Sequence, residues 1–222
     1  MFRQDRTNPS TAVSNWKGRK DTARGWPSTA VSTWLNGGLY GAPDTGSWVA
    51  LYSNVLGSDT ASVTISSSGS EVAWTEFQDL VLVAAMRNTG NGNSFGNTTT
   101  FNSDTSSKYF WQTMAGDGSA VAASKADSQS SLNLGTMPGD DMTANFFSAT
   151  VVHIYGATNT NVQKMMYVYD GNSTGDGSED NNVAITMNRY KSTSALTTFT
   201  MNPTNSFKSG STFHLYGVKA YS

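Results

Sequence analysis

The residue types that most often act as catalytic bases, nucleophiles or metal ligands are scarce in this chain. Its 222 residues include two histidines, His153 and His214, and no cysteine. Without a thiol there is no cysteine nucleophile, and a zinc site would need carboxylates in place of the missing ligands. Both histidines fall within predicted strands, where an imidazole is more often structural than catalytic. We therefore expect no nucleophilic triad and no zinc site.

Paired carboxylates, which glycoside hydrolysis places on either side of a cleft, give no distinctive pattern here. Glu71, Glu76, Asp79 and Asp104 are candidates, as similar residues would be in most proteins. The sequence predicts no catalytic residue and no cofactor, and an enzyme is the weakest of the functions considered.

An acidic segment between two predicted strands has the spacing of a cation-binding loop. From Asp170 to Asp180, oxygen-bearing residues stand at positions 1, 3, 5 and 7 with glycine at position 6, as in an EF-hand loop. The twelfth position is Asn181, not the bidentate glutamate of that loop, and no helices are predicted beside it. We expect an acidic loop and predict no metal ligand here.

The elements that would position these residues are β-strands. Apolar residues alternate with polar ones, or form short apolar runs, in about eight to ten segments separated by Gly, Asn, Asp and Ser. The predicted strands are 48–52, 61–66, 79–86, 98–101, 108–111, 146–155, 162–169, 183–187, 196–201 and 213–219. Residues 116–126 are expected to be a loop with at most a short helical turn, and residues 88–97 and 170–182 to be long polar loops. This pattern predicts an all-β fold, a two-sheet antiparallel sandwich of jelly-roll type over residues 45–222.

The last predicted strand carries the clearest positional signals. Phe213, Leu215 and Gly217 alternate with His214, Tyr216 and Val218, so both faces are apolar and the strand is predicted to be internal. Gly210 allows a tight turn before the strand. Gly217 allows a neighbouring aromatic ring or backbone to approach closely.

Residues 1–44, here called the arm, differ in composition from the rest. The whole chain has a net charge of −2 and 14% charged residues, well below the roughly 25% of ordinary soluble proteins. Residues 1–26 carry six basic residues against two acidic ones. A basic arm on an acidic body suggests docking onto an acidic partner, and a solvated tail is the alternative.

The arm also contains an internal repeat. The segment Pro9–Trp16 recurs as Pro27–Trp34 with seven of eight residues identical. Each copy has too few apolar residues for a core of its own, but a buried indole contributes a large contact area. We expect either that two such peptides dock into pockets of an assembly, or that their tryptophans fold back onto the same chain. The predicted partner-binding residues are Trp16, Trp26, Trp34, Arg3, Arg6, Arg19, Lys20 and Arg24.

The sequence gives no indication of secretion, membrane insertion or nucleic-acid binding. The first residues contain no apolar stretch typical of a secretion signal, and no segment approaches the ~20 apolar residues of a membrane span. The small net charge gives no general attraction to nucleic acid. We expect neither a membrane nor nucleic acid as a partner.

Four segments, in order, resemble a group of tailed-phage virion proteins. Trp74–Val83 is similar to their "YTDLVLV" strand, Phe101–Tyr109 to "FNxDxxxxY", and Val152–Tyr155 with Lys164 to a strand and hairpin that follow. Phe207–Lys219 is similar to their closing "FxxGSxxxLYGIK" motif, which is the most specific of the four. The resemblance covers about residues 70–222, and the arm has no counterpart in it.

This resemblance implies a jelly-roll module of a phage virion, made in the host cytoplasm and located in the particle. The expected function is that of a non-enzymatic structural protein of the tail, baseplate or fibre, with other virion proteins and copies of itself as partners. Capsid decoration is a close alternative. A carbohydrate-binding module that adsorbs to host surface polysaccharide is the alternative from another class, with Tyr109 and Trp111 as candidate stacking residues.

Overall fold

The computed structural model describes residues 48–70, 72–173 and 182–219, and this part of the chain contains twelve β-strands. The arm and its predicted partner-binding residues lie outside the described residues. The strands are β1 (Trp48–Val55), β2 (Val63–Ser66), β3 (Asp79–Met86), β4 (Phe95–Phe101), β5 (Tyr109–Gly116), β6 (Val121–Gln129), β7 (Leu132–Met137), β8 (Ser148–Tyr155), β9 (Lys164–Asn172), β10 (Asn182–Tyr190), β11 (Thr198–Pro203) and β12 (Thr212–Val218). Two short 3-10 turns, Ser67–Gly69 and Trp74–Glu76, lie between β2 and β3.

The strands form two antiparallel sheets packed as a sandwich. The large sheet has the order β1-β12-β3-β8-β9-β10-β5-β6, and the small sheet has the order β2-β11-β4-β7. Successive strand pairs belong alternately to the two sheets: β1·β12 and β3·β8 lie in the large sheet, and β2·β11 and β4·β7 lie in the small sheet. A long hairpin that rolls up into a jelly roll has this arrangement. The predicted fold class is therefore confirmed.

Two hairpins are inserted into this jelly roll. The hairpin β5-β6 lies between β4 and β7 along the chain, and β9-β10 lies between β8 and β11. Both extend the large sheet beyond β8. Strand β9 pairs with β8, and β5 then pairs with β10. The large sheet thereby grows from four strands to eight, while the small sheet keeps four.

Two of these strands were not predicted from the sequence. Residues 116–126 were expected to be a loop, yet Val121–Gln129 form β6. All but one of its residues are exposed, so no buried face imposes an alternating pattern, and pairing with β5 alone forms the strand. Strand β7 was missed because Gly135, at φ +87°, interrupts the alternation of Leu132 and Leu134.

The hydrophobic core lies between the sheets. The large sheet contributes inward side chains such as Leu82, Val152 and Leu215, and the small sheet contributes Ile65 and Phe199, all almost fully buried. Strand β12 lies between β1 and β3, so the prediction of an internal last strand is confirmed. No helix in the described residues is long and apolar enough to cross a membrane.

The two glycines singled out in and before the last strand have the predicted roles. Gly210 has φ +90° in the turn before β12. A Cβ atom on Gly217 would lie 2.4 Å from Cγ of Phe77, because that ring rests on the glycine backbone. Phe77 is 2% exposed. The glycine is therefore required by close packing with an aromatic ring.

Two buried cations hold the connecting loops through backbone carbonyl groups. The guanidinium of Arg87 donates hydrogen bonds to carbonyl oxygens between β7 and β8, those of Asp140, Met142, Thr143 and Phe146. The ammonium of Lys164 donates to the carbonyl oxygens of Asn159, Val162 and Thr193. Burial lowers the pKa of Lys164.

Candidate interaction surface

The face of the large sheet that points away from the small sheet, here called the outer face, exposes large apolar side chains. Val151, Tyr169, Ile185 and Met114 stand directly opposite one another on β8, β9, β10 and β5. They are 39%, 49%, 43% and 57% exposed, respectively. With strands spaced by about 4.8 Å, these four residues, here called the apolar row, form a continuous band roughly 14 Å long.

The band continues toward the edge of the sheet. Ala123 of β6 stands opposite Met114. In the next row along the strands, Val183 of β10 and Val121 of β6 both stand opposite Gly116 of β5 and are more exposed than the apolar row. Because Gly116 has no side chain, it leaves a gap between the two valines on the outer face.

Aromatic residues occupy the other side of the outer face. The ring of Trp48 lies 5.8 Å from that of Tyr216. The ring of His153 stacks on Tyr155 at 3.9 Å, and Tyr155 meets the edge of Tyr167 at 5.9 Å. Burial raises the pKa of Tyr155, and the nearby Tyr169 and Asp79 raise it further.

Charged groups on the outer face of the described strands are few and mostly engaged. Asp79 accepts a hydrogen bond from the backbone N–H of Gly156 at 2.8 Å. The guanidinium of Arg189 lies 4.5 Å from the centre of the Phe110 ring. Lys125, on the edge strand β6, lies 3.8 Å from the carboxylate of Asp127. The apolar row itself contains no charge.

Both histidines lie within strands, as predicted, and both are on the outer face of the large sheet. His153 Nε2 lies 3.2 Å from Oδ2 of Asp79 and links β8 to β3. His214 Nδ1 lies 3.0 Å from Oγ of Ser53 and links β12 to β1. Each imidazole thus has a contact that joins neighbouring strands.

The carboxylate of Asp104 fixes the loop between β4 and β5. It accepts hydrogen bonds from the backbone N–H and the hydroxyl of Ser106, from Nζ of Lys108 at 3.0 Å and from the hydroxyl of Tyr190 at 2.7 Å. These bonds, those from Ser106 above all, hold the pKa of Asp104 well below its ordinary value. The ring of Tyr109 stacks on Tyr190 at 4.8 Å. The segment Phe101–Tyr109, singled out by its pattern, therefore acts as a structural clamp.

The acidic segment and the two aromatic residues considered for sugar stacking lie elsewhere in the fold. Asp170 was expected in an acidic loop, but it lies inside β9 and is 3% exposed. The chain stays extended to Asn172 because β10 pairs with it there. Residues 174–181 of the acidic segment, and Glu71, lie outside the described residues. Of the two aromatics considered for stacking, Tyr109 is fully buried and Trp111 is half-buried.

The outer face was not recognised from the sequence, although a signal for it exists. Strands β8, β9 and β10 have apolar residues at both odd and even positions, as in Val151-Val152 and Val168-Tyr169. Such runs indicate a strand covered on both faces. In the structure, one of each pair lies in the core and the other is exposed, so the run marks a surface that nothing in the described residues covers.

The chain was compared with protein-family models, with curated proteins and with solved structures, and no match was found in any of the three.

Proposed function

We propose that this protein is a non-enzymatic structural subunit of a tailed-phage virion, in the tail, baseplate or fibre, attached through its N-terminal arm. The observation that carries the proposal is the outer face, a broad surface of the jelly-roll body with exposed apolar residues and few charged groups. In this proposal, the outer face packs against a second copy of the chain, and the arm binds other virion proteins.

The composition of the outer face supports packing between subunits. The centres of protein interfaces are enriched in Tyr, Trp and Met and depleted of charged residues. Tyr169 and Met114 belong to the apolar row, Tyr155 is on the same face of the sheet, and all three are at least 40% exposed. Contiguous exposed apolar patches on soluble proteins usually mark interaction sites.

The two edges of the large sheet favour contact through this face over strand addition. The edge strands β1 and β6 each contain a register irregularity, at Leu51 and at Asp127–Ser128, and Lys125 stands midway along β6. Bulges and lysines on edge strands oppose pairing with another sheet. A partner therefore gains more by covering the apolar row than by extending the sheet.

Charge insertion in the apolar row tests the packing. We expect the purified full-length protein to self-associate in sedimentation equilibrium, and Ile185→Glu to weaken the association at least tenfold without changing the far-ultraviolet circular dichroism. Ser124→Glu is the matched control, because Ser124 is exposed on the opposite face of the same sheet. Equal association of all three proteins would rule out the outer face as the contact.

The location in a virion is tested by electron microscopy of particles labelled with antibody fragments against this protein. Label on the tail, baseplate or fibre supports the proposal. Label on the head would indicate capsid decoration instead, and particles without label would contradict a virion role.

Binding of host surface polysaccharide is a second candidate function, favoured by exposed aromatic rings on the outer face. Trp48, Tyr155 and Tyr169 are at least 40% exposed, and such rings can stack on sugars. Binding to a host-glycan array that Tyr169→Ala abolishes and Ser124→Glu preserves would establish this function. A purely architectural subunit binds none of the glycans.

A further inference from the structure

A cluster of buried polar side chains lies where the inserted hairpin β9-β10 meets the small sheet. Asp170 and Asn172 point inward from β9. Thr150 of β8 stands opposite Asp170, and Asn182 of β10 stands opposite Asn172. Strand β7 packs over them, and the backbone N–H of Thr136 donates a hydrogen bond to Oδ2 of Asp170 at 3.2 Å. These five residues are here called the polar cluster.

The polar cluster contains most of the unpartnered buried polar atoms in the described residues. Six of the eleven such atoms belong to it: Oδ1 of Asp170, Oδ1 and Nδ2 of Asn172, Oδ1 of Asn182, and Oγ1 of Thr136 and Thr150. Buried polar atoms are almost always hydrogen-bonded. A group of six, five of them oxygens, needs further partners, and water molecules or an oxygen-coordinated cation supply such partners in proteins.

The backbone is shaped to admit the carboxylate of Asp170. Gly135 of β7 has φ +87°, and a Cβ atom there would lie 2.4 Å from Cγ of Asp170. Only glycine fits this position, both for its backbone conformation and for the space that the carboxylate occupies. The carboxylate is thus built into the site, with one oxygen bound to β7 and the other unpartnered.

The electrostatic situation of Asp170 also favours a cation. Asp170 is 3% exposed, and among the described residues its carboxylate forms no salt bridge with a cationic side chain. Burying a charge is costly unless it is paired or coordinates a metal.

We propose that the polar cluster binds a hard, oxygen-coordinated cation, Ca²⁺ or Na⁺, with Asp170 as its anionic ligand and side-chain oxygens of Thr150, Asn172 and Asn182 as neutral ligands. Carboxylate, amide and hydroxyl oxygens are the donors that such cations take. No group of three or more His, Asp or Glu side chains in the described residues is arranged for a metal, so this site depends on one carboxylate among neutral oxygens. The inference does not depend on the proposed virion function.

Titration of the chelator-stripped, full-length protein tests the site. Calorimetric titrations with CaCl2, and with NaCl in a potassium buffer, report binding directly, and thermal melts report its effect on stability. We expect saturable binding of Ca²⁺ or Na⁺ and, with the cation near a hundredfold above its Kd, a rise in Tm of about 5 °C or more. Absence of both heat and Tm shift with either ion would overturn the proposal and leave an ordinary hydrated polar cluster.

Variants locate the site. Asp170→Asn keeps the shape of the side chain and should abolish the cation-dependent Tm rise, and Asn182→Ala should weaken binding at least tenfold. The control is Asp127→Asn, which removes an exposed carboxylate of β6 and should change neither. A variant with Asp176→Asn, Glu179→Gln and Asp180→Asn separates the polar cluster from the acidic segment that follows β9. Loss of binding in that variant, with full binding in Asp170→Asn, would overturn the proposal.

Discussion

Replacing Gly217 by alanine tests whether close packing of Phe77 on strand β12 is needed for the fold. The new Cβ atom would lie 2.4 to 2.6 Å from three carbon atoms of the Phe77 ring, where carbon atoms in contact need about 3.5 Å or more. The ring would have to move by roughly 1 Å, or β12 would have to shift relative to β1 and β3.

The size of the effect follows from these two responses. Overpacking of a core costs about 1–3 kcal/mol, and expelling the ring would cost about 3–5 kcal/mol, as in the loss of a buried phenylalanine. Removing a glycine from the unfolded chain returns about 0.4–1 kcal/mol. Because the protein adopts the less costly of the two responses, we expect a net loss of about 1–2.5 kcal/mol in the free energy of unfolding.

Urea unfolding followed by circular dichroism measures this loss. With an m-value of about 2 kcal/mol/M, the midpoint should fall by roughly 0.5–1.3 M. Gly171→Ala is the control, because Gly171 lies in β9 of the same sheet and a Cβ there meets nothing within 4 Å. It should leave the midpoint unchanged or raise it slightly.

A second substitution distinguishes a clash from a general effect on the strand. Phe77→Leu removes the ring, so Gly217→Ala should cost at least 1 kcal/mol less in that background. If Gly217→Ala stays within about 0.5 kcal/mol of the wild type, or if the two substitutions are additive, the close contact does not govern stability and the reasoning is refuted.

Three further predictions concern buried or clamped polar groups. Lys164→Met should lower the free energy of unfolding by about 1–3 kcal/mol, because three carbonyl groups lose their donor; an unchanged thermal melt would contradict this role. Arg87→Lys should cost about 2–4 kcal/mol and speed amide exchange in residues 139–147, because an ammonium cannot reach all four carbonyl groups; unchanged exchange would argue against the role of Arg87. The folded-state pKa of Asp104 is lowered, so its stabilising effect is complete above its ordinary pKa of 3.8 and is lost as the pH falls below that value. The difference in urea midpoint between wild type and Asp104→Asn should therefore shrink from pH 7 to pH 2.5, and a constant difference would contradict the assigned clamp.

The jelly roll could be predicted from the sequence wherever a strand has one buried and one exposed face, or is buried on both. Strand β12 is the clearest case, since Phe213 and Leu215 enter the core while Gly217 admits a ring. Strand β6 could not be predicted because all but one of its residues are exposed, and its structure comes from backbone pairing with β5. Burial creates the periodic pattern, so a strand without burial leaves no pattern to detect.

The outer face and the polar cluster were harder to predict because both depend on which strands are neighbours in the sheets. Val151, Tyr169, Ile185 and Met114 are far apart in the chain, and only the order β8-β9-β10-β5 brings them into one row. In the same way, Asp170 looked like the first residue of a loop. Its burial depends on β10 continuing the pairing to Asn172 and on Gly135 leaving room for the carboxylate.

Both proposed sites arise from the same insertion. Along β9, the inward residues Met166 and Val168 belong to the hydrophobic core, whereas Asp170 and Asn172 are polar, so the core ends between Val168 and Asp170. The outward residue Tyr169 lies between them on the opposite face. The sheet separates the two sites, and so each should respond only to its own substitution. Asp170→Asn should leave self-association unchanged, and Ile185→Glu should leave the cation-dependent rise in Tm unchanged. If one substitution abolished both effects, the cation and the subunit contact would share a single site, and the assignment of two independent functions to the two faces of β9 would be wrong.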